Sequence, residues 1–528
     1  AYSFSDLAPG RYTVRAAVPG FAPFERAVRV AAGRPAVLDI TFAIATEKQK
    51  VEVSDDTPLS VEAENNASAL VLKGKDLETL PDDPDELAEA LQALAGPSAG
   101  PSGGQLFIDG FTGGRLPPKE SIREIRINQN PFASEHDRMG MGRIEIFTRP
   151  GTDRFRGGLS FNFNDESLNG RNPFAVNRAP FQSRSYSTTL SGPILRERAS
   201  FFLALHRREV DDNAVIHATT LDQKLNVVPF ELAVLTPDRN LDLNARTDVK
   251  LGQKHNLGAS YSHDRFSSLN AGIGELSLPS RAYDRSNAEH TLLLTETAIL
   301  STKVINETRF QYSTERREQD GDNTIPTLQV LGAFTGGGPQ IGQAFNDEDR
   351  WELQNYTTRA SGKHAVKFGV RLRNTRQNDT SPNNFGGGYT FAGGQGPQLD
   401  AAGGVVRGAD GRPVLGPITS LERYRRTLFF QQRGLSAAEI RALGGGATQF
   451  SISGGDPETD VSQVDFGGFL QDDWRARPNL TLSGGVRYEA QSNAGNNLNF
   501  APRLAFAWSP RAGSSRQPRT VVRGGFGL

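Results

Sequence analysis

The chain has no cysteine in 528 residues. Disulfides, thiolate metal sites and cysteine nucleophiles are therefore excluded. No run of ~20 apolar residues occurs, so no helix is expected to cross a bilayer. Neither sign of charge is in excess: Lys+Arg is 59 and Asp+Glu is 60, a net charge of −1. This removes the compositional case for a nucleic-acid partner, which calls for a basic surplus. The seven histidines (136, 206, 217, 255, 263, 290, 364) form no HExxH and no paired spacing, so no zinc site is expected. Asp472 and Asp473 are adjacent, and neighbours on a strand face opposite sides, which argues against an acid/base pair. The loop acids Asp320-Gly-Asp322 and Asp347-Glu-Asp349 lack the EF-hand spacing. The sequence is thus read as a non-enzyme with no cofactor and no metal site.

What it has instead is alternation. Phe466-Gly-Gly-Phe-Leu-Gln-Asp-Asp-Trp474 and Leu480-Thr-Leu-Ser-Gly-Gly-Val-Arg-Tyr-Glu489 flank a tight polar turn. In the second, Leu480, Leu482, Val486 and Tyr488 point one way, and Thr481, Ser483, Arg487 and Glu489 the other. An apolar face backed by a charged one is the pattern of a membrane β-barrel strand, with lipid outside and water or protein inside. Such a strand needs only ~9–11 residues to cross obliquely. Thirteen segments qualify: 157–164, 183–191, 199–209, 240–250, 255–264, 287–299, 303–313, 350–360, 363–373, 461–474, 479–490, 501–509 and 519–528. Short connections alternate with long ones, the latter at 165–182, 210–239, 265–286, 314–349, 374–460 and 491–500. That rhythm is expected of short periplasmic turns and long outer loops.

Four domains are expected. Residues 1–46 alternate densely, with turns at Pro9-Gly10, Pro19-Gly20 and Gly33-Arg-Pro35, and read as part of a small β-sandwich. Residues 47–69 are a polar linker with one short strand, Val51-Glu-Val53. Residues 70–152 form an α+β unit. Its helix has Asp83 as cap, Pro84 at the first position and Glu86 closing a capping box. Leu87, Leu91 and Leu94 are assigned to one face, and Gly96 to the end. Residues 153–528 are a partial antiparallel barrel of about 13 strands. The loop 374–460 is expected to carry a helix from Ser436 to Leu443 and a pairing between Tyr389–Phe391 and residues 448–453.

Inward charges Arg246, Asp248, Lys367, Arg371 and Arg373 are read as ion-pairing to the α+β unit and between strands. Trp351, Phe368, Trp474, Tyr488 and Trp508 are assigned to the lipid face or its aromatic girdles. Among loop aromatics, Phe334, Phe345 and Phe385 are the candidates for ligand contact.

The residues also carry a family resemblance. Phe4-Ser-Asp-Leu-Ala-Pro-Gly-Arg-Tyr-Thr-Val14, followed by Pro19-Gly-Phe21, resembles the carboxypeptidase-regulatory-like family. Phe107-Ile-Asp-Gly110, Ser121–Ile127, Pro131–Arg138, Gly142–Thr148, Pro150-Gly-Thr152 and Phe155-Arg-Gly-Gly158 resemble the plug and first barrel strand of TonB-dependent outer-membrane receptors. The similarity is to the Oar-like group, which carries the regulatory-like domain ahead of its plug. Arg171-Asn-Pro-Phe174 and Ser191-Gly-Pro193 follow the pattern of the first hairpins, and Phe469–Trp474, Gly485–Glu489, Pro502-Arg503 and Arg523-Gly-Gly525 match the later barrel.

The resemblance implies a Gram-negative outer-membrane receptor, with plug and N-terminal domain on the periplasmic side. It implies import of a scarce ligand (an iron chelate, cobalamin, oligosaccharide or peptide) using energy relayed by a TonB-type inner-membrane complex. Asp109, Gly110, Arg138, Arg143 and Glu145 are its plug-motif residues here. Lys50, Val51, Glu52, Val53 and Ser54 form the candidate TonB-contacting strand. The implied barrel has 22 strands, so a chain truncated at both ends is expected. A surface adhesion or matrix-organising protein and a passive porin are the alternatives.

Overall fold

A computed structural model describes residues 10–16, 24–30, 38, 70–82, 84–96, 104–113, 116–127, 132–137, 143–168, 180–400, 402–495, 499–510 and 520–528. The linker strand Lys50–Ser54, the cap Asp83 and the motif residue Arg138 lie outside them. Two compact units are present, residues 1–58 and 59–528. In the first, β1 (Gly10–Ala16) and β2 (Phe24–Val30) pair antiparallel, with Tyr12 opposite Val28.

The second unit begins with an α+β domain. Its elements are β3 (Leu70–Lys73), α1 (Lys75–Glu78), α2 (Pro84–Ala95), β4 (Gln105–Ile108), β5 (Phe111–Thr112), β6 (Ile122–Ile127) and β7 (Arg143–Thr148). The sheet order is β3-β6-β7-β4-β5, and only β4 and β7 run parallel. The core joins Leu77, Leu87, Leu91 and Ala95 to Ile122, Ile125, Ile127, Ile144 and Ile146. Ile122 and Ile125 share a face despite their odd spacing because a bulge shifts the register between Ile122 and Glu124. One expectation is corrected here. Leu94 is exposed, and Ala95 takes the third buried place. Positions 87, 91 and 95 repeat every four residues and so stack on one face, which 94 leaves.

A chain of long strands follows: β8 (Arg156–Asp165), β9 (Gln182–Leu195), β10 (Ala199–Leu221), β11 (Val227–Leu251), β12 (His255–Ala271), β13 (Tyr283–Ser301) and β14 (Val304–Asp320). Short β15 (Thr327–Val330) and β16 (Phe334–Gly337) precede β17 (Ala344–Ser361) and β18 (His364–Thr380). The next connection holds β19 (Gly388–Phe391), β20 (Gly394–Pro397), β21 (Leu415–Ile418), α3 (Ser420–Gln432), α4 (Ala437–Ala442) and β22 (Gln449–Ser451). Last come β23 (Glu458–Arg477), β24 (Leu480–Gln491), β25 (Asn499–Trp508) and β26 (Val522–Gly527). Thirteen of these form one sheet in sequence order, every neighbour antiparallel, with β8 and β26 at its edges.

Side chains alternate as barrel strands require. On β18, Phe368 and Val370 are 46% and 48% exposed, while Arg371 between the walls is 7% exposed. Trp474, Leu482, Phe506 and Trp508 cluster on the outer surface near the short turns, as an aromatic girdle would.

Two expectations about the long connections are corrected. Residues 210–239 are not a loop: β10 and β11 continue through them as a ladder from Val210↔Asp238 to Leu221↔Val227. Val210, Val215, Thr219, Val227 and Val234 keep β-propensity there, while alternation fades because no lipid faces the strands. Phe334 is not a ligand candidate, because it is 5% exposed inside a second core. That core gathers Ile216, Ala218, Val330, Ala333, Phe391 and Leu421 from three connections. Around it, β15 pairs with β16 and, in parallel, with β19, which pairs in turn with β22. The helix α4 carries the expected capping box between Ser436 and Glu439. The longer α3, capped by Thr419, was not read from the sequence. Its apolar positions are sparse and arginines interrupt them.

Candidate functional site

The α+β domain meets the inner face of the sheet through polar groups. Two contact zones carry most of them. The first is the turn between β4 and β5. Asp109 sits at φ 48° and Gly110 at φ 87°, a left-handed pair that suits Asp-Gly. Thr148, at the end of β7, donates to Asp109 from its backbone N–H (2.9 Å) and its hydroxyl (2.6 Å). From the wall, Arg246 on β11 lies 3.5 Å from Asp109 Oδ2 and donates to Thr148 Oγ1 at 2.9 Å. Asp248 holds that guanidinium at 2.8 Å and accepts from Gly151 N at 3.2 Å. Gln354 donates to Gly110 O at 3.3 Å, and Arg350 to Thr112 O at 3.1 Å. A Cβ on Gly110 would meet the Arg309 guanidinium. That group is the tip of a flexible side chain and can swing aside, so the left-handed φ is the firmer reason for glycine here.

The second zone is the segment 132–137, which lies against β18, β23, β24 and β25. Ser134 N donates to Gln471 Oε1 at 2.7 Å. Arg487, 1% exposed, donates to the carbonyls of Ser134 (3.4 Å) and Glu135 (3.2 Å) and pairs with Glu489 at 2.7 Å. Arg503 donates to Ala133 O and, at 2.8 Å, to His136 O. Lys367 pairs with Glu135, and Arg371 with Asp137 at 3.1 Å. Burial raises the Glu135 carboxyl, but Lys367 and the weaker fields of His136 and Arg143 together bring the pKa down to about 2. Burial likewise raises Asp137, and Arg371 with Arg487 and Arg143 together lower it to about 2. His136 is lowered to about 3, by burial first and the Arg143 charge second. Both acids are therefore ionised, and the imidazole neutral, when the segment is docked.

The expected motif residues divide. Asp109 and Gly110 face the wall. Arg143 and Glu145 pair with each other at 2.8 Å on β7, and the Arg143 guanidinium covers the Phe107 ring at 3.4 Å. The inward charges fall as read: Arg246 on Asp248 and Asp109, Lys367 and Arg371 on the 132–137 segment, Arg373 on Asp465 at 2.6 Å. Arg309, Arg350, Gln354 and Gln471 were missed. Each has the inward parity of its strand, and that signal was present once Arg371 had fixed the faces.

The profile of the family described as Outer membrane beta barrel domain matches residues 221–498. The TonB-dependent transporter Oar of Myxococcus xanthus is 23% identical over 484 residues, covering 76% of this chain and 42% of that protein. The chain thus spans less than half the length of this curated relative. Two solved structures share the fold. The outer membrane transporter YddB from Escherichia coli is 11% identical with TM-score 0.53, covering 84% of this chain and 59% of that one. The siderophore receptor PirA from Acinetobacter baumannii is 11% identical with TM-score 0.52, covering 87% and 60%. With more than half of its residues matched by the family profile, the chain belongs to the outer membrane beta barrel domain family and resides in the outer membrane.

Proposed function

We propose that the protein is a gated importer in which residues 70–152 act as a plug and residues 153–528 as the barrel wall. The observation that carries this reading is the chemistry of the contact. The plug is held by hydrogen bonds and ion pairs such as Arg371–Asp137 (3.1 Å). Apolar packing between the two would need a large dry interface to open. Polar contacts can be exchanged for water one by one, each at a net cost of about 0.5–3 kcal/mol. A plugged barrel whose plug can be released by pulling suits active import better than passive diffusion or adhesion, and it calls for no enzymatic chemistry.

The energy is assigned to a TonB-type inner-membrane complex, with Lys50–Ser54 as the strand it pairs with at the edge. A small molecule, glycan or peptide is the cargo class. Uptake of the cargo with and without an energised inner membrane tests the reading, and equal uptake in both would reject it. Val51→Pro removes a backbone donor from the pairing strand. That variant should keep surface binding and lose import, while wild-type uptake would remove this segment from the mechanism.

A further inference from the structure

The short turns at one end of the large sheet share a feature that neither docking nor import uses. Arg198, Lys254, Lys303 and Lys363 each stand immediately before a strand: β10, β12, β14 and β18 in turn. Each carbonyl accepts the same backbone bond from near the end of the strand that follows. Arg198 O accepts from Lys250 N (2.8 Å), Lys254 O from Ile299 N (2.7 Å), Lys303 O from Ala360 N (2.8 Å) and Lys363 O from Arg475 N (2.8 Å). The four cations therefore occupy one structural position, repeated every two strands, roughly 10 Å apart at the usual strand spacing. Turn geometry does not ask for them, since tight turns select Gly, Asn, Asp, Ser and Pro.

All four residues are exposed, and none of the four side chains forms an ion pair among the described residues. Glu197 is the only acid in these four turns. Glu296 and Asp472, near the ends of neighbouring strands, are taken by His255 (2.6 Å) and His364 (2.7 Å). In the short turn between β23 and β24, Asn479 holds the equivalent place, its carbonyl accepting from Ser509 N at 2.9 Å. The cation there is Arg477, two residues earlier, and an outward groove of about 750 Å³ adjoins it. Trp474, Leu482 and Phe506 form one row of that groove across β23, β24 and β25, and Leu480 and Trp508 begin the next. Arg477 is the one charged residue lining it.

We propose that this rim is a docking surface for anionic phospholipid in the inner leaflet of the outer membrane. The chain resides in that membrane, and the short turns of such barrels face the periplasm. At that depth the turns meet headgroups, while acyl chains lie beside the aromatic girdle. Each lysine or arginine close to an anionic surface adds to the attraction. At Arg477 a guanidinium, which binds phosphate bidentately, stands beside a groove that takes the acyl chain. A zwitterionic head would bring an ammonium that these turns cannot pair, because their one carboxylate is Glu197. The turns are two or three residues long and end at the headgroups, which favours lipid over a partner deeper in the periplasm. The inference stands on the membrane residence of the chain and not on the importer reading.

The full-length natural protein, held in a non-ionic detergent, is exposed to dioctanoyl phosphatidylglycerol and, separately, to dioctanoyl phosphatidylcholine. Retained lipid is counted by native mass spectrometry. Wild type should hold phosphatidylglycerol about 10-fold more tightly. Lys254→Gln/Lys303→Gln/Lys363→Gln/Arg477→Gln should erase that preference, and Lys254→Arg/Lys303→Arg/Lys363→Arg should keep it. Lys224→Gln/Arg407→Gln/Arg412→Gln/Arg441→Gln removes equal charge from exposed residues of the long connections and should leave the preference intact. Five results would each overturn the proposal. The first three are equal retention of both lipids by wild type, an unchanged preference in the glutamine variant of the turns, and an equal loss in the variant of the long connections. The fourth is displacement of the lipid by millimolar glycerol 3-phosphate, which would make the rim a site for free phosphate. The fifth is tighter binding to purified peptidoglycan than to phosphatidylglycerol vesicles, lost in the glutamine variant of the turns, which would make the cell wall the partner.

Discussion

Replacing Arg487 by methionine tests the docking of the 132–137 segment on the sheet at its most buried arginine. Arg487 is 1% exposed and donates to two carbonyls of the 132–137 segment, at 3.2 and 3.4 Å. A hydrogen bond from a charged donor contributes about 1.5–3 kcal/mol, and an acceptor left buried without a partner costs about 1–3 kcal/mol. The distances here are long, so the lower end applies to each. Methionine keeps most of the volume and adds no charge, and Glu489, 42% exposed, can turn to water. The net loss of docking free energy should be about 3 kcal/mol, and each 1.4 kcal/mol is a factor of ~10 in an equilibrium, so local opening should rise roughly 100-fold. Hydrogen exchange of the 132–137 amides reads this directly, because Ser134 N–H is bonded to Gln471. Protection should fall there and persist in the β3–β7 sheet. Exchange within about twofold of wild type would refute the claim that the arginine holds the 132–137 segment. So would uniform loss across the sheet, which would mean general unfolding. Arg376→Met, which breaks an exposed pair with Asp460 (2.9 Å), should change nothing.

Two further outcomes follow from the same contacts. Phe368→Arg places a charge on the outward face of β18 and should cost about 2–4 kcal/mol of folding free energy in lipid. Reversible unfolding in bilayers measures it, and an unchanged value would assign Phe368 to the wrong face. Docking should also weaken in acid. Glu135 and Asp137 have pKa values lowered to about 2 from ordinary values of 4.5 and 3.8. Their contribution is complete above the undocked values and is lost as pH falls through that window. His136, lowered from 6.5 to about 3, is neutral when docked and protonated when released, so it acts in the same direction. Exchange of residues 132–137 should accelerate from about pH 6.5 downward, and protection independent of pH between 6 and 3 would contradict the ionisation states.

The barrel was legible in the sequence because lipid imposes the alternation. Where a strand faces lipid and lumen, as at Val366–Arg373, period two survives intact. Beyond the bilayer it does not, and the β10–β11 ladder was therefore mistaken for a loop. The cap of loops was illegible for a different reason. Its core draws Ile216, Phe334, Phe391 and Leu421 from separate connections, and no local pattern announces a contact that only the assembled fold creates. Leu94 failed more simply, since an apolar residue near the end of a short helix competes with alanine one position on. In the docking site, the inward charges were read from parity alone, but their partners were not. Which carbonyl Arg487 reaches depends on how a loop settles, and Ser134 and Glu135 carry no sign of it.

The central claim is that cargo passes only when the plug moves against the wall. These 528 residues hold no cysteine, so an introduced pair is unique among them. Ser134→Cys with Gln471→Cys places thiols on the two sides of a single contact, whose native hydrogen bond is 2.7 Å. In cells energised for transport, joining them with a short bifunctional maleimide should leave surface binding of cargo intact and abolish uptake. Either single-cysteine variant, treated identically, should import normally. Undiminished uptake in the cross-linked pair would contradict the account, because cargo would then be crossing with the plug fixed in place.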